Sequence, residues 1–97
     1  MFDIFWTDCS QADFNHLKSD VSLKKRYKAV KKTIHLLASD PRHNSLQTHE
    51  FSSLKGPTGE KVYVAYAEQK TPAAYRVFWH YGPAKDQIII VAITRHP

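Results

Sequence analysis

The stretch Ala74-Tyr75-Arg76-Val77-Phe78-Trp79-His80-Tyr81, the turn Gly82-Pro83-Ala84-Lys85-Asp86 and the run Gln87-Ile88-Ile89-Ile90-Val91-Ala92-Ile93-Thr94 together decide the fold. Both runs are rich in the β-branched and aromatic residues that suit a pleated surface. The Gly/Pro turn between them makes the two an antiparallel pair. Over residues 88–93 both faces are apolar, the pattern of an interior strand covered on both sides. Upstream, residues 61–67 alternate in the same manner, and the turn-like Gln69-Lys70-Thr71-Pro72 separates them from Tyr75. A three-stranded meander with residues 87–94 central requires one more strand beside the last.

Residues 2–7 supply it, alternating Phe2, Ile4 and Trp6 with Asp3, Phe5 and Thr7. Ser10-Gln11-Ala12-Asp13 has the form of a helix start, and Phe14, Leu17 and Val21 follow at helical spacing. Asp20 or Ser22 can cap a second helix. Its apolar residues Leu23, Tyr27, Val30, Ile34 and Leu37 form one stripe over about four turns. Asp40-Pro41 ends it, because the residue before proline is pushed away from helical angles. The expectation is an α+β fold, a single domain over residues 1–97. It has two layers, a helical hairpin packed on a four-stranded, mainly antiparallel sheet of order 1-4-3-2, with elements in the order β-α-α-β-β-β.

At 97 residues and 42% hydrophobic content the chain has material for one modest core. The single cysteine, Cys9, cannot form an internal disulfide, and a reducing cytoplasm suits it. Residues 1–6 are apolar but short and interrupted by Asp3, unlike a signal peptide. The longest apolar run, residues 88–93, falls far short of the roughly 20 residues a bilayer demands. A soluble, cytoplasmic protein with no membrane partner is expected. Six histidines show no H-E-x-x-H, no C-x-x-C exists, and none of the three glycines precedes a helix. Neither a zinc site nor a phosphate-binding glycine loop is expected, and no cofactor. Cys9 stands beside Asp8 with no nearby cation to activate its thiol.

Charge is unevenly spread. The net formal charge is +5, yet residues 1–20 carry four Asp against one Lys. The remainder is basic, which favours nucleic acid or an acidic protein, or simply a solvated surface. Lys24, Lys25, Arg26, Lys28, Lys31 and Lys32 crowd six cations into nine residues. Lys24 and Lys25 lie near a helix N-terminus, where cations are disfavoured by about 0.3–1 kcal/mol each. A polyanionic partner accounts for that placement.

The order of elements, with Leu54-Lys55-Gly56 before the meander, Ala74-Tyr75-Arg76-Val77-Phe78-Trp79 within it and Ile93-Thr94-Arg95-His96 at its end, resembles the RelE/ParE superfamily of toxins from bacterial toxin–antitoxin pairs. The resemblance spans residues 2–96 and implies a RelE-like fold. It also implies a cognate antitoxin as partner, and one of two activities. One branch (RelE, YoeB, YafQ, HigB) cleaves mRNA on the ribosome without metal, and the ParE branch poisons DNA gyrase. Fold alone does not choose between them.

Metal-free RNA cleavage needs a base for the 2′-hydroxyl, an acid for the leaving oxygen and cations on the phosphorane. Arg76 shares a strand face with Phe78 and His80 by alternation, whereas Tyr75 and Trp79 face the core. The resemblance implies that Arg76 contacts the scissile phosphate; a cross-sheet salt bridge is the plainer reading. It implies a catalytic role for His96 too, although the YoeB-like branch follows with an aromatic residue where Pro97 stands here. Lys55 and Lys61 flank a turn, residues 56–60, expected to be flexible, and the resemblance makes them phosphate ligands or substitutes for the base. His49, and less strongly Glu50, are candidate bases, although the YoeB-type carboxylate position holds Ser52. Lys24, Lys25, Lys28, Lys31 and Lys32 are candidate RNA ligands, ribosomal RNA first, with antitoxin acids or a merely solvated helix face as the alternatives, and His80 can stack on or protonate a base. The expectation is a ribosome-associated mRNA endonuclease. The alternatives are a gyrase-binding toxin and a non-toxic RNA- or protein-binding domain.

Overall fold

Strand β1 (Asp3–Trp6) leads into helix α1 (Asp8–Ser19) and helix α2 (Lys24–Ser39). Strands β2 (His49–Lys55), β3 (Lys61–Tyr66), β4 (Tyr75–Tyr81) and β5 (Gln87–Arg95) follow, in a computed structural model that describes residues 1–69 and 74–95. Single 3-10 turns stand at Val21–Leu23 and Asn44–Leu46. Among the described residues no helix is long and apolar enough to cross a membrane.

The sheet has five strands in the order β1-β5-β4-β3-β2, not four in the order 1-4-3-2. The expected arrangement is present, with β1 parallel to β5 and the meander antiparallel. The additional strand is β2, added at the outer edge against β3. Its sequence, HEFSSLK, hides it. An edge strand with a register shift between Glu50 and Lys55 buries little, and only Phe51 is even half-covered. With no face consistently buried, no alternation is imposed.

Both helices lie on one face of the sheet. Leu17 of α1 and Val30, Ile34 and Leu37 of α2 are buried against Ala65, Tyr75, Val77, Trp79, Ile88, Ile90 and Ile93. The stripe foreseen for α2 is therefore the core face. The other sheet face carries no helix, so residues 88–93 are not covered on both sides: Ile89, Val91 and Ala92 stay partly exposed. A bulge explains the misleading run. Phe78 pairs with Ala92 and Trp79 with Ile90, leaving Val91 as the extra residue. Ile90 and Ile93 thus both face the helices, where strict alternation would have separated them.

Helix α1 begins earlier than expected. Thr7, not Ser10, is the N-cap, and Ser10 is its partner at the third helical position in a reciprocal capping box. The same side chains close the edge of β5 beyond the end of β1. Thr7 Oγ1 donates to the Val91 carbonyl at 3.0 Å, and Ser10 Oγ to the Ile90 carbonyl at 2.7 Å. Asp13 accepts the Ile93 N–H at 3.0 Å. Val21, expected on the apolar stripe of α1, is 92% exposed. The helix ends at Ser19, and the extended Asp20 resets the helical phase before Val21. Asp20 does cap, but for the short 3-10 turn, through the Ser22 N–H at 2.9 Å.

Candidate functional site

The helix-free face of the sheet is where chemistry-bearing side chains meet. Register places Tyr66 of β3, Arg76 of β4 and Thr94 of β5 side by side across three strands. The Arg76 guanidinium lies over the Tyr66 ring, its carbon 4.7 Å from the centroid. Arg76 is half-buried and makes no ion pair or hydrogen bond among the described residues. A cation–π contact engages the charge without a hydrogen-bond acceptor, so among the described residues no acceptor takes up the guanidinium N–H groups.

His49 reaches the same face from β2. It pairs with Val64 in register, and its ring stands edge-on to Tyr66 at 5.6 Å and 83°. Its Nδ1 lies 3.0 Å from the carbonyl of Gln47, a residue turned into the left-handed region at φ 48°. A carbonyl only accepts, so Nδ1 carries the hydrogen and the neutral ring presents its lone pair on Nε2. Phe51 and Phe78 continue the face as an edge-to-face pair at 5.1 Å. An imidazole, a guanidinium and aromatic rings therefore share one face of the sheet.

Other candidates lie elsewhere. His80 has the parity of Arg76 but is only 4% exposed, and its Nδ1 is committed to the Tyr81 carbonyl at 2.8 Å. It packs beneath the surface and offers nothing to stack on a base. Lys61 is two residues before Tyr63, whose ring packs on Trp79 in the core, so its register position is on the helix-bearing side. Lys55 pairs directly with Lys61 and shares that side. Its Nζ stands 3.7 Å from Glu50, which pairs with Tyr63 and so also points away from Arg76. Ser52 is exposed on β2. His96 lies outside the described residues.

The turn expected to be flexible is tied down. Gly56 and Glu60 are bonded through backbone, and Glu60 accepts the Thr58 hydroxyl at 2.6 Å and the Thr58 N–H at 2.9 Å. The Thr58 hydroxyl first, with backbone N–H groups of Glu60 and Thr58, holds the Glu60 carboxyl down at about 2. Gly59 sits at φ 87°, where glycine alone is unstrained.

On α2, Lys24, Lys25, Lys28, Lys31 and Lys32 are all exposed. Arg26 is the exception in the cationic run, paired to Glu68 at 2.7 Å. Among the described residues none of the five lysines makes an ion pair. They lie on the helical layer, across the sheet from Arg76. Among the described residues no three His, Cys, Asp or Glu side chains gather as metal ligands would.

The backbone architecture is shared with solved structures. A YoeB/ParE toxin from Agrobacterium tumefaciens superposes with a TM-score of 0.71 over 100% of both chains, at 13% identity. The chain has the RelE/ParE toxin fold. The RelE–RelB complex from the archaeon Pyrococcus horikoshii OT3 superposes with a TM-score of 0.64, covering 97% of this chain and 93% of that one at 16% identity. No protein-family model and no curated protein matches the sequence. At such identities the likeness is one of RelE/ParE fold alone, and activity has to be argued from this chain's own residues.

Tyr66 is the member of the site that sequence reasoning missed. It shares strand parity with Val62 and Val64, so the alternation of β3 does place it on the Arg76 face. Nothing in the sequence pins the register that sets it directly beside Arg76.

Proposed function

We propose that the protein is the toxin of a toxin–antitoxin pair and acts as a metal-independent endonuclease on ribosome-bound mRNA. The observation that carries this reading is that the Arg76 guanidinium and the His49 imidazole, whose Nε2 is left as an acceptor, both pack on the Tyr66 ring. In this reading His49 Nε2 takes the proton of a 2′-hydroxyl, and the oxygen attacks the adjacent phosphorus. The bond from phosphorus to the 5′ oxygen breaks, and that oxygen takes a proton from an acid, assigned to His96 by the family resemblance. Arg76 holds the charge that builds on the phosphorane. The partners are the ribosome with its mRNA and an antitoxin protein; one of the similar structures is itself a RelE–RelB complex. The exposed lysines of α2 meet ribosomal RNA backbone, a role that fits their lack of ion-pair partners among the described residues.

Controlled expression in a bacterium, with transcript ends and DNA damage followed together, tests the reading. Growth arrest with in-frame cuts inside translated messages is expected. Arrest with intact messages and DNA damage would transfer the argument to DNA gyrase. Unimpaired growth would leave a binding domain of the same fold.

A further inference from the structure

We infer that Tyr66 is a positioning residue, whose ring rather than its hydroxyl holds Arg76 and His49 in place around one phosphate. The inference rests on the nuclease reading of the same face. Arginine has a long stem with many rotamers, and an unanchored guanidinium on an open sheet samples most of them. The common remedy is a carboxylate partner, as Glu68 provides for Arg26 at 2.7 Å. A carboxylate would also take the in-plane donors and cancel the charge, leaving nothing for a substrate phosphate. Tyr66 restrains Arg76 in another way. Its ring, from the directly opposite position on β3, meets the guanidinium at 4.7 Å. The cation is thereby oriented while its donors and its charge remain available.

The same ring meets His49 at 5.6 Å and nearly perpendicular. His49 is then held at two points, by Tyr66 and by the Gln47 carbonyl on Nδ1. One aromatic ring thus sets the spacing between the base and the phosphate ligand. Its hydroxyl has no hydrogen-bond partner among the described residues, so the ring alone makes these contacts.

The test measures single-turnover mRNA cleavage on programmed ribosomes by wild type, Tyr66→Phe, Tyr66→Leu, Tyr66→Val and Arg76→Ala, each over a range of enzyme concentration. Tyr66→Phe keeps the ring and should stay within about threefold of wild type, while Tyr66→Leu and Tyr66→Val should lose about 10–100-fold in limiting rate. Half-saturation should move by less than about threefold, separating positioning from binding. Tyr66 is half-exposed, and the valine variant suits a strand, so at least one ring-less variant should fold; thermal melting verifies it. A folded Tyr66→Leu or Tyr66→Val that cleaves like wild type while Arg76→Ala is inactive overturns the inference and spares the nuclease reading. Tyr66→Phe as slow as the ring-less variants overturns it as well, by assigning the work to the hydroxyl. Full activity in Arg76→Ala, or none in wild type, removes the nuclease reading and this inference with it.

Discussion

At the scale of single residues, adjacent positions divide between the two sides of the sheet. His49 and Glu50 are neighbours in sequence, yet His49 meets Tyr66 and Glu50 turns to Lys55. Of the two, only His49 stands on the Arg76 side of the sheet. Replacing His49 with Ala should reduce mRNA cleavage by about 10²–10⁴-fold, and Glu50→Ala should leave it nearly unchanged, measured as initial rates on programmed ribosomes. Equal losses in the two variants would contradict the placement. Glu60 makes a separate prediction. Its carboxyl is held at about 2, below the usual glutamate value of 4.5, by the Thr58 hydroxyl and the backbone N–H groups. Because the folded value is depressed, the loop contact is complete above the ordinary range and is lost as pH falls through about 2. The Thr58 amide resonance should titrate with that low midpoint. A midpoint near 4.5 would mean that the loop is open in solution.

At the scale of elements, α1 has two tasks: it packs on the sheet and it closes β5. An outer strand with unpaired backbone invites pairing with another chain. Thr7, Ser10 and Asp13 prevent this over the part of β5 that β1 does not reach. Thr7→Ala should therefore lower stability by about 1 kcal/mol or somewhat more, since it loses the N-cap and the bond to Val91 together. Urea unfolding measures it, and no change would mean that water replaces both bonds. The exposed lysines of α2 yield a different prediction. Each Lys→Ala change among Lys24, Lys28 and Lys31 should reduce the salt dependence of ribosome binding by a slope of about 1. An unaltered slope would make them a solvated face.

Legibility in the sequence follows the same physics. The elements that bury a face were readable: the stripe of α2, the alternation of β4 and the apolar side of β1 all coincide with the core. Strand β2 was not, because an edge strand that buries little selects no pattern. The bulge at Val91 imitated a strand covered on both sides. At the site, Arg76 and His49 were legible as residue types, and alternation assigned Arg76 to a face. The contact through Tyr66 was not, because it depends on register between strands. Register is set by turns and bulges that leave only a weak mark in the sequence.

At the scale of the whole molecule, the two candidate surfaces are separated by the sheet. The lysines of α2 lie on the helical layer and the Arg76 face on the other, in a body with extents of 36 × 27 × 26 Å. Lys32 is the exception, since it lines one cavity with Tyr66, the ring on which Arg76 packs. Under the proposed nuclease reading, the exposed lysines away from that cavity would bind RNA that is not cleaved. Substitutions on α2 should accordingly weaken binding and leave the limiting rate intact.

The most direct measurement is the chemistry of the cut ends. Message cleaved on programmed ribosomes by wild-type protein would be analysed for its new termini, with Arg76→Ala run beside it. Attack by a 2′-hydroxyl predicts a 2′,3′-cyclic phosphate on one fragment and a 5′-hydroxyl on the other, both absent with Arg76→Ala. Fragments ending in a 3′-hydroxyl and a 5′-phosphate, or the same cuts with Arg76→Ala, would contradict the account.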